Sequence, residues 1–214
     1  MTSYATQRFD NLPREKAARV LGAAVSEFAD HGYQHANTNR IAAAAGISVG
    51  ALFQYFASKD DLFRYVVGEG ARAIEANVAE LLAREGSVLE KVRSLLEVAV
   101  DTAVVNRESV RLYHELTSTG NRALAHELAM QLEGYTAAGY RELMEQGQES
   151  GEVRADVPAA VLALCLDNLL VGLQLSFAAD YYEDRLQLYA PGVEREALVE
   201  QTLRFVESAI GAAR

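Results

Sequence analysis

Residues 36–59 read ANTNRIAAAAGISVGALFQYFASK, and their spacing decides how the rest of the chain is read. The short amide of Asn37 suits the free N–H groups at a helix start. Ile41, Ala42 and Ala45 follow at i, i+1 and i+4, one helical face. Gly46 stands where that helix must stop, since glycine tolerates a left-handed C-terminal residue. Ile47 buries the turn. Ser48 caps a second helix whose apolar side is Leu52, Phe53 and Phe56. The alanine run lets the two helices approach closely. The pattern is a helix-turn-helix over about 37–56, an arrangement that puts its second helix into the DNA major groove.

On the N-terminal side, Ala17, Val20, Leu21, Ala24, Val25 and Phe28 recur at helical spacing from Pro13 to a stop at Gly32, with Tyr33 as a lid on the core. Residues 1–13 are expected to be a flexible arm. On the C-terminal side, Ser58 caps a helix over about 59–84. Leu62, Phe63, Val66 and Val67 close the head, and Ile74, Val78, Leu81 and Leu82 enter a larger body. Ser87 and Glu90 form a capping box that opens a helix over 87–105. Further helices are predicted over 107–118, broken by Gly120, over 121–149, from Pro158 to about 183, and over 193–212. The expectation is an all-α chain of about nine helices. A head over 14–67 is followed by a body over 68–214.

Composition agrees. Half of the 214 residues are hydrophobic, only three are proline, and strand signals are nearly absent. The formal charge of −10 argues against nonspecific coating of nucleic acid, but it is unevenly spread. Residues 1–65 carry seven Lys/Arg and six Asp/Glu, so the remainder nets −11. Such a chain meets DNA in one orientation. Cys165 is the only cysteine, which excludes an intrachain disulfide, and its apolar surroundings predict a core residue. No basic-then-apolar leader is seen. The run from Ala159 to Ala179 has the length of a membrane span, but Asp167, Asn168 and Gln174 interrupt it, so a buried helix is expected, with no membrane partner and a cytoplasmic location.

In the order and spacing of about a dozen positions, the N-terminal third resembles the TetR family of bacterial transcriptional regulators. Those positions are Phe28, Gly32-Tyr33, Ile41-Ala42, Ala45-Gly46-Ile47-Ser48, Gly50, Leu52-Phe53, Tyr55-Phe56, Ser58-Lys59 and Leu62. The resemblance implies a DNA-binding set of Thr38, Ser48, Val49, Gly50, Ala51, Phe53, Gln54, Tyr55 and Lys59. Small Gly50 and Ala51 allow close approach to base edges. Val49 and Ala51 offer contact to a thymine methyl, and Gln54 offers hydrogen bonds to an adenine edge. Tyr55 and Lys59 match positions that hold the phosphate backbone, and Thr38 matches the start of the first motif helix. Three positions depart from the family pattern: Phe53 stands for a usual tyrosine, Val49 for a common lysine, and Ala51 for a common threonine or serine.

The resemblance further implies a homodimer paired through its last two helices, an inverted-repeat operator and a small-molecule effector, largely apolar. Gly172 permits close helix approach, and Leu173 belongs to the expected seam. Tyr113, His114, Tyr135, Asp167, Asn168, Gln174 and Phe177 are candidate effector contacts, with Tyr140 a further aromatic candidate. Catalysis finds little support. The four histidines form no H-E-x-x-H or Glu-x-x-His pair, and no phosphate loop is present, so neither a cofactor nor a metal is expected. Two other readings fit the same sequence: a helical small-molecule binder or enzyme with a structural head, and an adaptor acting through its acidic body.

Overall fold

The computed structural model describes residues 4–115 and 122–212. Eleven helices lie among them: α1 Gln7–Asp10, α2 Arg14–His35, α3 Thr38–Ala44, α4 Val49–Tyr55, α5 Lys59–Ala83, α6 Val88–Val105, α7 Arg107–Glu115, α8 Arg122–Ser150, α9 Ala159–Ala178, α10 Asp180–Tyr189 and α11 Arg195–Ile210. The chain is all-α, as its composition and periodicity predict. The break expected at Gly120 lies outside the described residues.

Two helices exceed the nine expected, each for a physical reason. The first is α1, which the expected loose arm hides. Its Phe9 is buried against Phe56, with ring centroids 4.7 Å apart, and the Thr6 N–H donates to the Tyr55 carbonyl at 2.9 Å. The N-terminal segment is therefore folded from Tyr4 onward and is not a free arm. The second arises where the long helix expected from Pro158 to about 183 is broken at Ala179, whose backbone is extended (φ −129°, ψ 128°). No glycine or proline marks that break in the sequence.

The chain forms two compact units: Met1–Ala73 with Arg111–Leu132, and Ile74–Val110 with Glu133–Arg214. In the first, Val20, Ala24 and Phe28 of α2, Ile41 of α3, Leu52 of α4 and Leu62 and Phe63 of α5 are all buried. Phe63 stands edge-on to Phe28 at 4.8 Å and packs on Tyr33 at the same distance. Aromatic pairs of this kind add to ordinary burial and fix helix orientation. Gly32 leaves the helical region (φ 65°, ψ 166°), so α2 bends out at the stop its glycine predicts.

In the second unit α6 and α9 pack along each other, and Val92, Leu96, Val100, Leu143, Met144, Leu166, Leu203 and Val206 form the centre of one core. Glycine permits the tightest approach: a Cβ at Gly139 of α8 would stand 2.4 Å from Val78 of α5. Leu173 belongs to this core, whereas Val161 and Leu164 of α9 and Phe205 of α11 are exposed. Cys165 is also exposed, not buried as its apolar neighbours suggest, because it follows Leu164 on the outer side of α9. Gly172 meets no neighbouring atom within 4 Å in the single chain. By length and composition α9 is apolar enough to cross a membrane. Nine of its residues are buried, six of them in this core, which accounts for that composition without a bilayer.

Candidate nucleic-acid interface

The local chemistry of residues 36–59 forms the helices that the sequence predicts. The Asn37 side chain accepts from the Asn39 N–H at 2.8 Å and starts α3. Gly46 takes φ 67° and ends it, with the Ile47 N–H donating back to the Ala42 carbonyl at 3.0 Å. The Ser48 hydroxyl accepts from the Ala51 N–H at 3.1 Å and starts α4. Ser58 caps α5 in the same way, accepting from the Asp61 N–H at 3.0 Å.

A buried carboxylate sets the position of α3. Glu27 of α2 accepts from the Asn37 N–H at 2.8 Å and from Arg40 Nε at 2.9 and 3.0 Å. Burial pushes its carboxyl up, but the Arg40 guanidinium and the Asn37 N–H outweigh burial and hold it below the usual carboxylate range. Glu27 is not among the residues that the sequence motif singles out. The available signal is that Glu27 lies on the same helical stripe as Val20, Ala24 and Phe28, where an acid needs a partner.

The outer side of α4 is open. Ser48, Gly50 and Gln54 are exposed, Val49, Ala51 and Thr38 are half-buried, and Phe53 retains 45% of its surface. A Cβ on Gly50 would meet only the Ser48 hydroxyl, at 3.9 Å, so nothing within the chain requires glycine there. A glycine in a helix costs about 1 kcal/mol relative to alanine.

Tyr55 and Lys59 do not join this open face as expected. Tyr55 keeps only 7% of its surface, because α1 folds across the end of α4: Phe9 packs on its ring at 6.0 Å and Lys16 Nζ lies 5.9 Å from the ring centroid. Lys59 Nζ donates to the carbonyls of Tyr33 at 2.8 Å, Gln34 at 3.2 Å and Ala36 at 3.2 Å. An ammonium has three N–H donors, and all three are used on the open end of α2. Beside it, the Tyr33 hydroxyl donates to Asp60 at 2.8 Å; burial, then Asp60, pushes that phenol up to about 12. Burial pushes the Asp60 carboxyl up, but the Tyr33 hydroxyl and Arg64 hold it below its usual range.

The family model described as bacterial regulatory proteins, tetR family, matches residues 20–66, the span just described. The chain is 31% identical over 165 residues to the HTH-type transcriptional repressor AcnR of Corynebacterium glutamicum, covering 75% of this chain and 80% of that protein. It belongs to the TetR family. The AcnR of Corynebacterium diphtheriae is 28% identical over 184 residues, 85% of this chain and 91% of that one. A TetR family transcriptional regulator from Chloroflexus aurantiacus superposes with a TM-score of 0.71 at 24% identity, covering 98% and 99% of the two chains. The protein is thus a helix-turn-helix transcriptional regulator, and α3 and α4 are its TetR-family motif.

The effector candidates of this TetR-family chain are distributed over both compact units. Tyr113 and His114, half-buried on α7, belong to the first. Tyr135, Asp167, Asn168, Gln174 and Phe177 belong to the second. Asn168 is exposed and donates to the Leu164 carbonyl of its own helix at 2.9 Å. Phe177 lines a cleft of about 410 Å³ with Val104, Arg107, Ser176, Glu183, Asp184, Leu186 and Gln187. Arg107 is paired there with Glu183 at 2.5 Å. The other candidates do not line this cleft. Asp167 is half-buried, and burial, then the charge of Glu133, raises its carboxyl to about 6.

Proposed function

We propose that this TetR-family regulator is a homodimeric repressor that leaves an inverted-repeat operator when a small, largely apolar effector binds. In this reading residues 14–67 form the DNA-binding domain, with the folded segment before them as a brace. Residues 68–214 form the effector and dimerisation domain. The protein acts in the cytoplasm, as a regulator rather than an enzyme. Thr38, Ser48, Val49, Gly50, Ala51, Phe53 and Gln54 meet DNA directly, while Tyr55 and Lys59 hold the ends of α4 and α2 in place behind them. Effector binding shifts a population of dimer shapes and changes the spacing of the two α4 helices.

The observation that carries this reading is Gly50. It sits in a helix with open space around it, so its cost to the fold is offset only by a partner whose backbone or bases come close. Titration against duplex DNA at several salt concentrations tests the reading. Binding that weakens linearly in log salt supports it, and a null at every salt concentration removes it. Gly50→Ala sharpens the test: the free protein gains up to about 1 kcal/mol of stability while affinity for DNA falls.

A further inference from the structure

We propose that Arg8, Lys16 and Arg19 form the site that grips the phosphate backbone of duplex DNA beside α4, in place of Tyr55 and Lys59. This rests on the reading of α4 as the DNA-facing helix, and it gives that uncharged helix the cations its interface needs.

Residues 1–65 carry seven Lys/Arg, at 8, 14, 16, 19, 40, 59 and 64. Three of them are spent inside the chain. Arg40 is paired with the Glu27 carboxylate, Arg64 lies between Asp60 at 3.1 Å and Glu127 at 2.5 Å, and Lys59 is bound to three carbonyls. Among the described residues, Arg8, Arg14, Lys16 and Arg19 form no ion pair, and the only interaction of Lys16 is with the Tyr55 ring. Arg8, Arg14 and Arg19 are exposed and Lys16 is half-buried. Every unpaired cation of this stretch therefore belongs to α1 or to the first two turns of α2.

These cations stand at the C-terminal end of α4. The Thr6 hydroxyl donates to the Gln54 carbonyl at 2.7 Å, two residues before Arg8. Phe9, which follows Arg8, packs on the Tyr55 ring, and Lys16 Nζ lies 5.9 Å from the centroid of that ring. Arg19 follows Lys16 by three residues, the spacing of neighbours on one helix face. Arg14, two residues before Lys16, lies on another side of α2 and is not part of the site. The acids of the same stretch are Asp10 and Glu15, so residues 4–19 hold four cations against two acids in a chain of net charge −10.

The chemistry of the partner follows. Guanidinium and ammonium groups only donate, and their N–H groups match the oxygens of a phosphate diester. A helix in the major groove, about 12 Å wide, is flanked by sugar-phosphate strands, so cations at its end meet phosphates and not base edges. The site supplies affinity and orientation without sequence preference. The acidic remainder of the chain is repelled from DNA, which leaves this edge to set the side that docks.

The test measures binding of the full chain to two duplexes, one recovered from a random pool and one unrelated, between about 50 and about 200 mM salt. Arg8→Gln, Lys16→Gln and Arg19→Gln should each reduce the slope of log affinity against log salt by about 0.9, so that each variant loses about 3.5-fold less affinity across that range than the wild type. The triple variant should reduce the slope by about 2.7. Both duplexes should weaken by the same factor. Arg8→Lys and Arg19→Lys should keep the wild-type slope, which separates a lost phosphate contact from a local fold defect. A triple variant with the wild-type slope, a slope that the Arg→Lys variants lose as well, a changed preference between the two duplexes, or a larger loss of slope in Lys59→Met than in the triple variant would each overturn the proposal. A wild-type chain that binds neither duplex at any salt concentration removes the DNA-binding reading itself. A wild-type chain that binds, with the triple variant unchanged, removes only this site.

Discussion

Lys59 Nζ lies 2.8 Å from the carbonyl oxygen of Tyr33 and 4.8 Å from the centroid of the same residue's ring. The first residue of α5 therefore closes the last turn of α2, with the Gln34 and Ala36 carbonyls as its other acceptors. Lys59→Met removes the donors and keeps the stem. It is expected to lower stability by about 1.5–3 kcal/mol, the range for hydrogen bonds to a charged group. The dependence of DNA affinity on salt should change by less than the unit expected of a lost phosphate contact. Thermal unfolding and salt titration of the variant check both halves.

Asp167 makes a pH prediction of definite sign. Its folded value, about 6, lies above the unfolded value of about 3.9. Between those values the native chain holds the extra proton, so the contribution of this group to stability falls as pH rises from about 4 through 6. Discounted for partial exposure, the penalty at pH 7.5 is about 1–2 kcal/mol. Asp167→Asn should therefore raise Tm at pH 7.5 and change it little at pH 4, as read from unfolding curves of both proteins at the two pH values.

The positions for a test of dimerisation follow from exposure. Leu164 keeps 60% of its surface and Phe205 61%, whereas Leu173 keeps 8%. Leu164→Glu and Phe205→Glu should give folded monomers by sedimentation. Leu173→Glu should unfold the chain, because it places a charge inside the core of the second unit. A folded monomer from Leu173→Glu, or folded dimers from the other two, would move the seam elsewhere.

Much of the helical order could be read from the sequence, because four of the starts carry a side-chain cap with its own chemistry. Asn37, Ser48, Ser58 and the Ser87–Glu90 box all make the bonds their side chains predict. The break at Ala179 could not be read, since an alanine between Ala178 and Asp180 carries no stop signal. The fate of Tyr55 was equally hidden. Its burial depends on Phe9, which contacts it from 46 residues away in a segment too short and polar to show periodicity. Lys59 shows the same limit: its type fits a phosphate contact and a helix cap equally well, and only the position of the α2 carbonyls decides between them.

In the proposed dimer, α4 reads DNA as one of two symmetry-related copies. A two-fold dimer imposes its symmetry on the site, so each half-site meets the same Val49, Gly50, Ala51 and Gln54. Val49 and Ala51 favour thymine methyls and Gln54 favours adenine, so A·T pairs belong among the discriminating positions, each worth about 1–3 kcal/mol. Selection of bound duplexes from a random pool, followed by sequencing, measures this directly. The expected outcome is an inverted repeat with A·T pairs at discriminating positions. Recovery of sites without a dyad, or of dyads discriminated only at G·C pairs, would contradict it.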